Sequence, residues 1–261
     1  MSDAASHDIL LREDLGPITR LTLNMPGALN ALSDAMLARL AEEFTDLMGS
    51  TTQRVVVLRG TGKAFCAGHD LKEMKAKRAE PDKGATALRD LFNRCAEVMQ
   101  MIPRLPQPVI AQVHGIATAA GCQLVASCDL AVAAEGTRFG VNGVNIGLFC
   151  STPMVALSRN IPRKQAFELL TTGEFIDAAR AVELGLANRA VPLEDLEAET
   201  TMLAETIASK LGSAVKIGKQ AFYEQLQMPL DQAYAYTSGV IVENLMHRDT
   251  IEGMAAFIDK R

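Results

Sequence analysis

Residues 55–72 read VVVLRGTGKAFCAGHDLK. An apolar run, Val55-Val56-Val57-Leu58, closes at a glycine turn, and Ala64-Phe65-Cys66-Ala67-Gly68-His69-Asp70-Leu71-Lys72 follows. An apolar strand that ends in such a turn leaves backbone N–H groups open near its tip, where they can hold a developing negative charge without any side chain. His114 to Asp129 offers the same resource: a glycine turn and then a helix of small residues, whose first N–H groups lack partners inside the helix. Two such donors facing one carbonyl oxygen would make an oxyanion hole.

Outward from this stretch the pattern repeats. Val109–Val113 reads as a strand closed at Gly115, Ala117 to Cys128 as a helix, and Leu130–Ala134 as a strand closed at Gly136. Upstream, Ile18 to Asn24 alternates like a half-buried strand. Ser33 is a candidate N-cap for a helix running to about Met48 on Met36, Leu37, Leu40, Phe44, Leu47 and Met48. Residues 73–85 are charged and read as a loop; helix resumes from Leu88 to Met101, where Pro103, Pro106 and Pro108 stop it. Helices are expected from Pro162 to Gly173 and from the Asp177 cap to Gly185. From Leu193 the pattern is almost wholly helical, over 193–211, 213–227, 231–247 and 250–260. The expected fold class is α/β, with stacked ββα units over residues 1–195 and a C-terminal helical region over 196–261 whose apolar residues pack on partner subunits, packing on their own domain alone being the open alternative.

Composition sets the bounds. The chain has 261 residues, 48% of them hydrophobic and 22% charged, with a net charge of -5; this is ample core material and argues against a nucleic-acid binder. Five cysteines with no CxxC pair read as buried thiols, and the histidines (His7, His69, His114, His247) lack metal-ligand spacing, so no metal is expected. Gly60-Thr61-Gly62-Lys63 has the wrong spacing for a phosphate loop, and no GxGxxG occurs. No apolar run is long enough to span a bilayer, and Met1 to Asp14 is acidic without an Arg-rich or apolar presequence. The expectation is a cytoplasmic protein with no membrane partner.

Residues 27–40 (GALNALSDAMLARL), 55–74, 109–131 (VIAQVHGIATAAGCQLVASCDLA) and 139–148 (FGVNGVNIGL) resemble, in order and spacing, the enoyl-CoA hydratase/isomerase or crotonase superfamily across nearly the full chain. Ala119–Leu124 and Val144–Pro153 single out one branch of it. The resemblance implies a crotonase-like ββα spiral capped by C-terminal helices and assembled as a homotrimer or a dimer of trimers. It implies an acyl-CoA thioester as ligand, with coenzyme A arriving as part of the substrate and no permanently bound cofactor. The N–H groups of His69 and Ala120 are the implied oxyanion-hole donors. The adenine and phosphate end of CoA is placed along Ala28, Leu29 and Asn30 and along Ala67, His69, Asp70, Leu71 and Lys72. Phe257 and Lys260 match a region that reaches the CoA of a neighbouring subunit. For Lys72 and Lys260 a solvated surface charge is the open alternative.

The family pattern breaks where hydration needs it. Hydratases hold one water between two glutamates; here Gln123 and Gly143 stand in those places. Glutamine does not titrate near neutral pH and glycine offers only backbone. Weak hydration, or another reaction through a thioester enolate, is therefore expected. Isomerisation is equally in doubt, and a non-catalytic acyl-CoA binder or assembly partner of fatty-acid metabolism is the alternative. Asn142, Asn145 and Gln123 are candidates to hold a water or small anion. His69 and His114 are candidate bases if they face the pocket, Cys150 is a candidate nucleophile, and Asp129 reads as structural.

Overall fold

The computed structural model describes residues 8–259. In chain order the elements are β1 (Leu10–Leu15), β2 (Ile18–Leu23), α1 (Asp34–Gly49), β3 (Val55–Gly60), α2 (Leu71–Lys77), α3 (Ala85–Arg104), β4 (Val109–Val113), β5 (Ile116–Thr118), α4 (Ala120–Ser127), β6 (Leu130–Ala134), β7 (Arg138–Gly140), α5 (Pro153–Asn160), α6 (Arg163–Thr172), β8 (Phe175–Asp177), α7 (Ala178–Leu184), β9 (Arg189–Val191), α8 (Leu196–Ala208), α9 (Gly212–Gln225), α10 (Leu230–Met246) and α11 (Arg248–Ile258).

The main sheet runs β1-β2-β3-β4-β6-β9. β1 pairs antiparallel with β2, and every later neighbour is parallel. Both faces are covered, which is why β3 reads as an unbroken apolar run rather than an alternation. Val56 and Leu58 face the core built with α1, α3 and α4. Val55 and Val57 join Ile110, Val132 and Ala134 against Leu196, Ala204 and Ala208 of α8. A second, small sheet, β5-β7-β8, lies beyond the strand ends and carries the chain into α4.

α1 forms as its residues dictate. The Ser33 hydroxyl accepts from the Met36 N–H at 3.1 Å, and Met36, Leu37, Leu40, Phe44 and Leu47 form one buried stripe. Three expectations need correction. The charged stretch 73–85 is not all loop: Asp70 caps α2, accepting from the N–H groups of Lys72 and Glu73, and Lys, Glu, Met and Ala are good helix formers once capped. Pro103 does not end α3; it sits within the last turn, and the Leu105 N–H closes that turn on Met101 and Ile102. The segment from Ala117 starts as strand β5, so α4 begins only at Ala120.

The C-terminal helices are tied to the sheet through one buried group. The Lys219 ammonium on α9 donates to the carbonyls of Ile102 and Gln107, each at 2.8 Å, and to Asp129 Oδ2 at 2.7 Å. Asp129 also accepts from the Val109 N–H at 2.6 Å and the Tyr223 hydroxyl at 2.8 Å. Burial lowers the Lys219 pKa, and Asp129 opposes that shift. Asp129 is thus fully engaged in structure.

Candidate functional site

Two segments some fifty residues apart meet beyond the ends of β3 and β4. Cys66 and Ala117 form a parallel bridge, with the Cys66 N–H donating to Ile116 O and the Thr118 N–H to Cys66 O. Contact is tight enough to require missing side chains. A Cβ on Gly121 would lie 2.1 Å from Cys66 O, and one on Gly68 would lie 3.2 Å from the Ala120 nitrogen. Gly68 also holds φ +90°, a conformation natural to glycine.

Ala119 has φ 51° and ψ −120°, strained for any residue with a Cβ. It is held from both sides: its N–H donates to Gly140 O at 2.9 Å, and its carbonyl accepts from the Gln123 N–H at 3.0 Å. The strain sets the orientation of the Ala119–Ala120 peptide. The Ala120 N–H, first in α4, finds no acceptor among the described residues, and neither does the His69 N–H.

The two stretches expected to hold CoA are laced together. The Ala67 N–H donates to Leu29 O at 3.0 Å, and the Leu32 N–H to Gly68 O at 2.7 Å. Ala28 is half-buried, while Leu29, Leu71 and Lys72 are exposed. The Asn30 side chain is fully engaged within the chain: Oδ1 accepts from the Met25 N–H, and Nδ2 donates to Thr61 O and Ala64 O, all at 2.8 Å. Asp70 serves as the α2 cap. Phe257, 86% exposed on α11, borders a 620 Å³ cavity lined also by Arg54, Leu211 and Met254, which shares no residue with 67–72 or 119–123. Lys260 and His7 lie outside the described residues.

The glutamate positions look different in three dimensions. Gln123 is 4% exposed, and its Oε1 is buried without a donor. Gly143 is closed rather than vacant: a Cβ there would lie 2.3 Å from Leu148 O and 2.9 Å from Cys150 Sγ. Of the candidate substitutes, Asn142 Oδ1 accepts from the Thr118 hydroxyl at 2.7 Å, and Asn145 Nδ2 donates to Gly173 O. Burial raises the Cys150 thiol and pushes Cys66 and Cys122 up to about 12, so none is a ready thiolate. His114 Nε2 lies 2.9 Å from Gly62 O. His69 Nδ1 lies 3.3 Å from Leu32 O, while its Nε2 is buried without a partner. Burial pulls the His69 ring below its ordinary 6.5. Among the described residues no group of His, Cys, Asp and Glu could hold a metal ion.

Sequence reasoning missed the strain at Ala119, the closure over Gly143 and the pinning of His69. Only the glycines at 68 and 121 signalled any of this.

The fold is α/β, built of stacked ββα units, with the His69 and Ala120 N–H groups on two segments in contact with each other. The chain belongs to the enoyl-CoA hydratase/isomerase family: the family model of that description matches residues 14–261, and the fold is that of the crotonases. Enoyl-CoA hydratase domain-containing protein 3, mitochondrial, of Xenopus laevis is 46% identical over 252 residues, covering 97% of this chain and 84% of the relative. The Homo sapiens protein of the same name is 45% identical over 247 residues, covering 95% and 80%. Among crystal structures, an enoyl-CoA hydratase from Mycobacterium smegmatis superposes with TM-score 0.94 at 52% identity, covering 98% of each chain. Human enoyl-CoA hydratase domain-containing protein 3 superposes with TM-score 0.92 at 43% identity, covering 97% and 98%. The cytoplasmic expectation does not stand, because these vertebrate relatives are named as mitochondrial.

Proposed function

We propose that this chain binds acyl-CoA thioesters and stabilises their enolates with the N–H groups of His69 and Ala120. The observation that carries the reading is that these two amides, on segments in direct contact at Gly68 and Ala119, are both left without an acceptor. Unpaired donors at a crevice are costly unless a ligand or water accepts from them, and each such donor contributes about 2.7–4 kcal/mol to an oxyanionic transition state. CoA then runs along Ala28–Asn30 and Ala67–Lys72, with Lys72 as a phosphate contact. Coenzyme A arrives with the substrate, and no resident cofactor is needed. The exposed apolar residues Phe222, Tyr234, Ile241 and Phe257 on α9, α10 and α11 support assembly as a homotrimer or a dimer of trimers, with Phe257 and Lys260 serving a neighbouring subunit.

Ordinary hydration is slow in this reading, since Gln123 and Gly143 supply no carboxylate, and another enolate reaction takes its place. The closure of the site over Gly143 also favours a second reading, a non-catalytic acyl-CoA binder. Calorimetry with an acyl-CoA series, run beside a turnover screen, tests both. Binding that needs the thioester, with product formed, supports the first reading, and binding without product supports the second. Absence of binding refutes both.

A further inference from the structure

We propose that the Ala120 side chain is a positioning group: its Cβ locks the Ala119–Ala120 peptide with the N–H turned out of α4, against a strain at Ala119 that favours the reverse. The inference rests on the acyl-CoA reading above and names what keeps one of its two donors in place.

The orientation of this peptide is read from its carbonyl. Ala119 O accepts from the Gln123 N–H at 3.0 Å, where α4 begins. The peptide is trans, so its N–H points the opposite way, out of the helix. On the other side of Ala119 the chain is held: the Thr118 N–H donates to Cys66 O at 3.0 Å and the Ala119 N–H to Gly140 O at 2.9 Å. One soft motion is left, rotation of the Ala119–Ala120 peptide plane about its two flanking bonds.

Ala119 favours that rotation. At φ 51° a residue with a Cβ rests at a left-handed ψ, as Leu29 does with φ 51° and ψ 36°. Ala119 has φ 51° and ψ −120° instead. Turning the peptide by about 160° would bring this ψ into the left-handed range. It would also break the bond from Gln123 and point the carbonyl where the N–H now points. The cost of one strained residue and the worth of one hydrogen bond are of similar size, so the Gln123 bond alone does not decide the orientation.

Ala120 decides it. φ of residue 120 turns with ψ of residue 119 in the opposite sense, so the rotation carries Ala120 from its negative, helical φ to a positive one. A residue with a Cβ resists that region. The Ala120 methyl is 2% exposed and packs in the core, so its influence runs through the backbone and not through contact with a ligand. Glycine at 120 would keep the donor and lose the lock.

The test compares butyryl-CoA with its S-butyl thioether, which lacks the carbonyl, by calorimetry on the full chain. The wild type is expected to prefer the thioester. Ala120→Gly should lose that preference by about tenfold, since only molecules with the N–H turned outward bind the carbonyl. The double variant Ala119→Gly/Ala120→Gly should recover it, because glycine at 119 carries no strain to relieve. Infrared spectra of isotope-labelled butyryl-CoA give a second readout: its carbonyl stretch is lowered on the wild type and on the double variant, and returns toward the free value on Ala120→Gly. Ala119→Gly alone should melt above the wild type, a check that holds whether or not Ala120→Gly folds. Wild-type preference in Ala120→Gly overturns the proposal. So does a double variant no better than Ala120→Gly, or an Ala119→Gly that melts at or below the wild type. A wild type without preference for the thioester overturns instead the enolate reading beneath it.

Discussion

Putting glutamates back at 123 and 143 will not make this chain a hydratase. The substitution at 143 meets backbone before it meets substrate. A Cβ there lies 2.3 Å from Leu148 O and 2.9 Å from Cys150 Sγ. The Leu148 N–H is already bonded to Gly143 O at 2.9 Å, so the turn cannot relieve the clash without opening that bond. Gly143 does not occupy the left-handed region, so the obstacle is steric and not a forbidden backbone angle. Forcing atoms into a filled site costs typically about 1–3 kcal/mol. At roughly 2–4 °C per kcal/mol for a chain of this size, Gly143→Ala alone should lower Tm by about 2–12 °C. Gln123→Glu is gentler, since the side chain is nearly isosteric, but a carboxylate at a 4% exposed position with no donor on the existing Oε1 has its pKa raised by burial. It also supplies one of two groups that work together, and such groups are non-additive. Crotonyl-CoA hydration and thermal unfolding of the two single variants, Gly143→Ala and the double variant are the assay. Gln123→Glu is expected to fold and hydrate little, and the Gly143 variants to lose stability without gaining rate. A double variant that melts with the wild type and gains the ~10²-fold or more expected of a working acid–base group would refute it.

Other outcomes follow from the same geometry. Gly68→Ala places a Cβ 3.0 Å from Ala119 Cβ and 3.2 Å from the Ala120 nitrogen at φ +90°; it should cost about 1–2 kcal/mol of backbone strain and weaken acyl-CoA binding, so unchanged affinity by calorimetry counts against the crevice. Lys219→Met strands Asp129 and the carbonyls of Ile102 and Gln107. Breaking a buried pair by removing one partner costs about 3–5 kcal/mol, and denaturant midpoints within error of wild type would show the tie to be dispensable. The His69 pKa is lowered by burial from 6.5, so the folded state binds this proton less readily than the unfolded one. Stability is then fully present above pH 6.5 and falls as pH drops toward the depressed value. His69→Gln should remove this part of the slope, and an identical pH–stability curve below 6.5 would contradict the assignment.

Much of the framework was legible in the residues themselves. Ser33 followed by apolar residues at helical spacing specifies α1, because capping and a buried stripe are local properties. The runs at 55–58, 109–113 and 130–134 specify β3, β4 and β6, because strands buried on both faces must be apolar throughout. The three-residue strands β5, β7, β8 and β9 are too short to show any period, and α2 was hidden by its charge. For the site, family resemblance marked residues 69, 120, 123 and 143, and the residue types alone showed that no carboxylate stands at the last two.

Tertiary structure decided the rest, because the remaining features are contacts between distant segments. The bridge of Cys66 to Ala117 brings one glycine turn against the other and leaves two amides unpaired. Leu148 closes over Gly143, and Leu32 takes the proton-bearing nitrogen of His69 so that the other nitrogen remains bare. Residue type supplies a group's chemistry; which groups stay unpaired depends on neighbours that only the folded chain brings together.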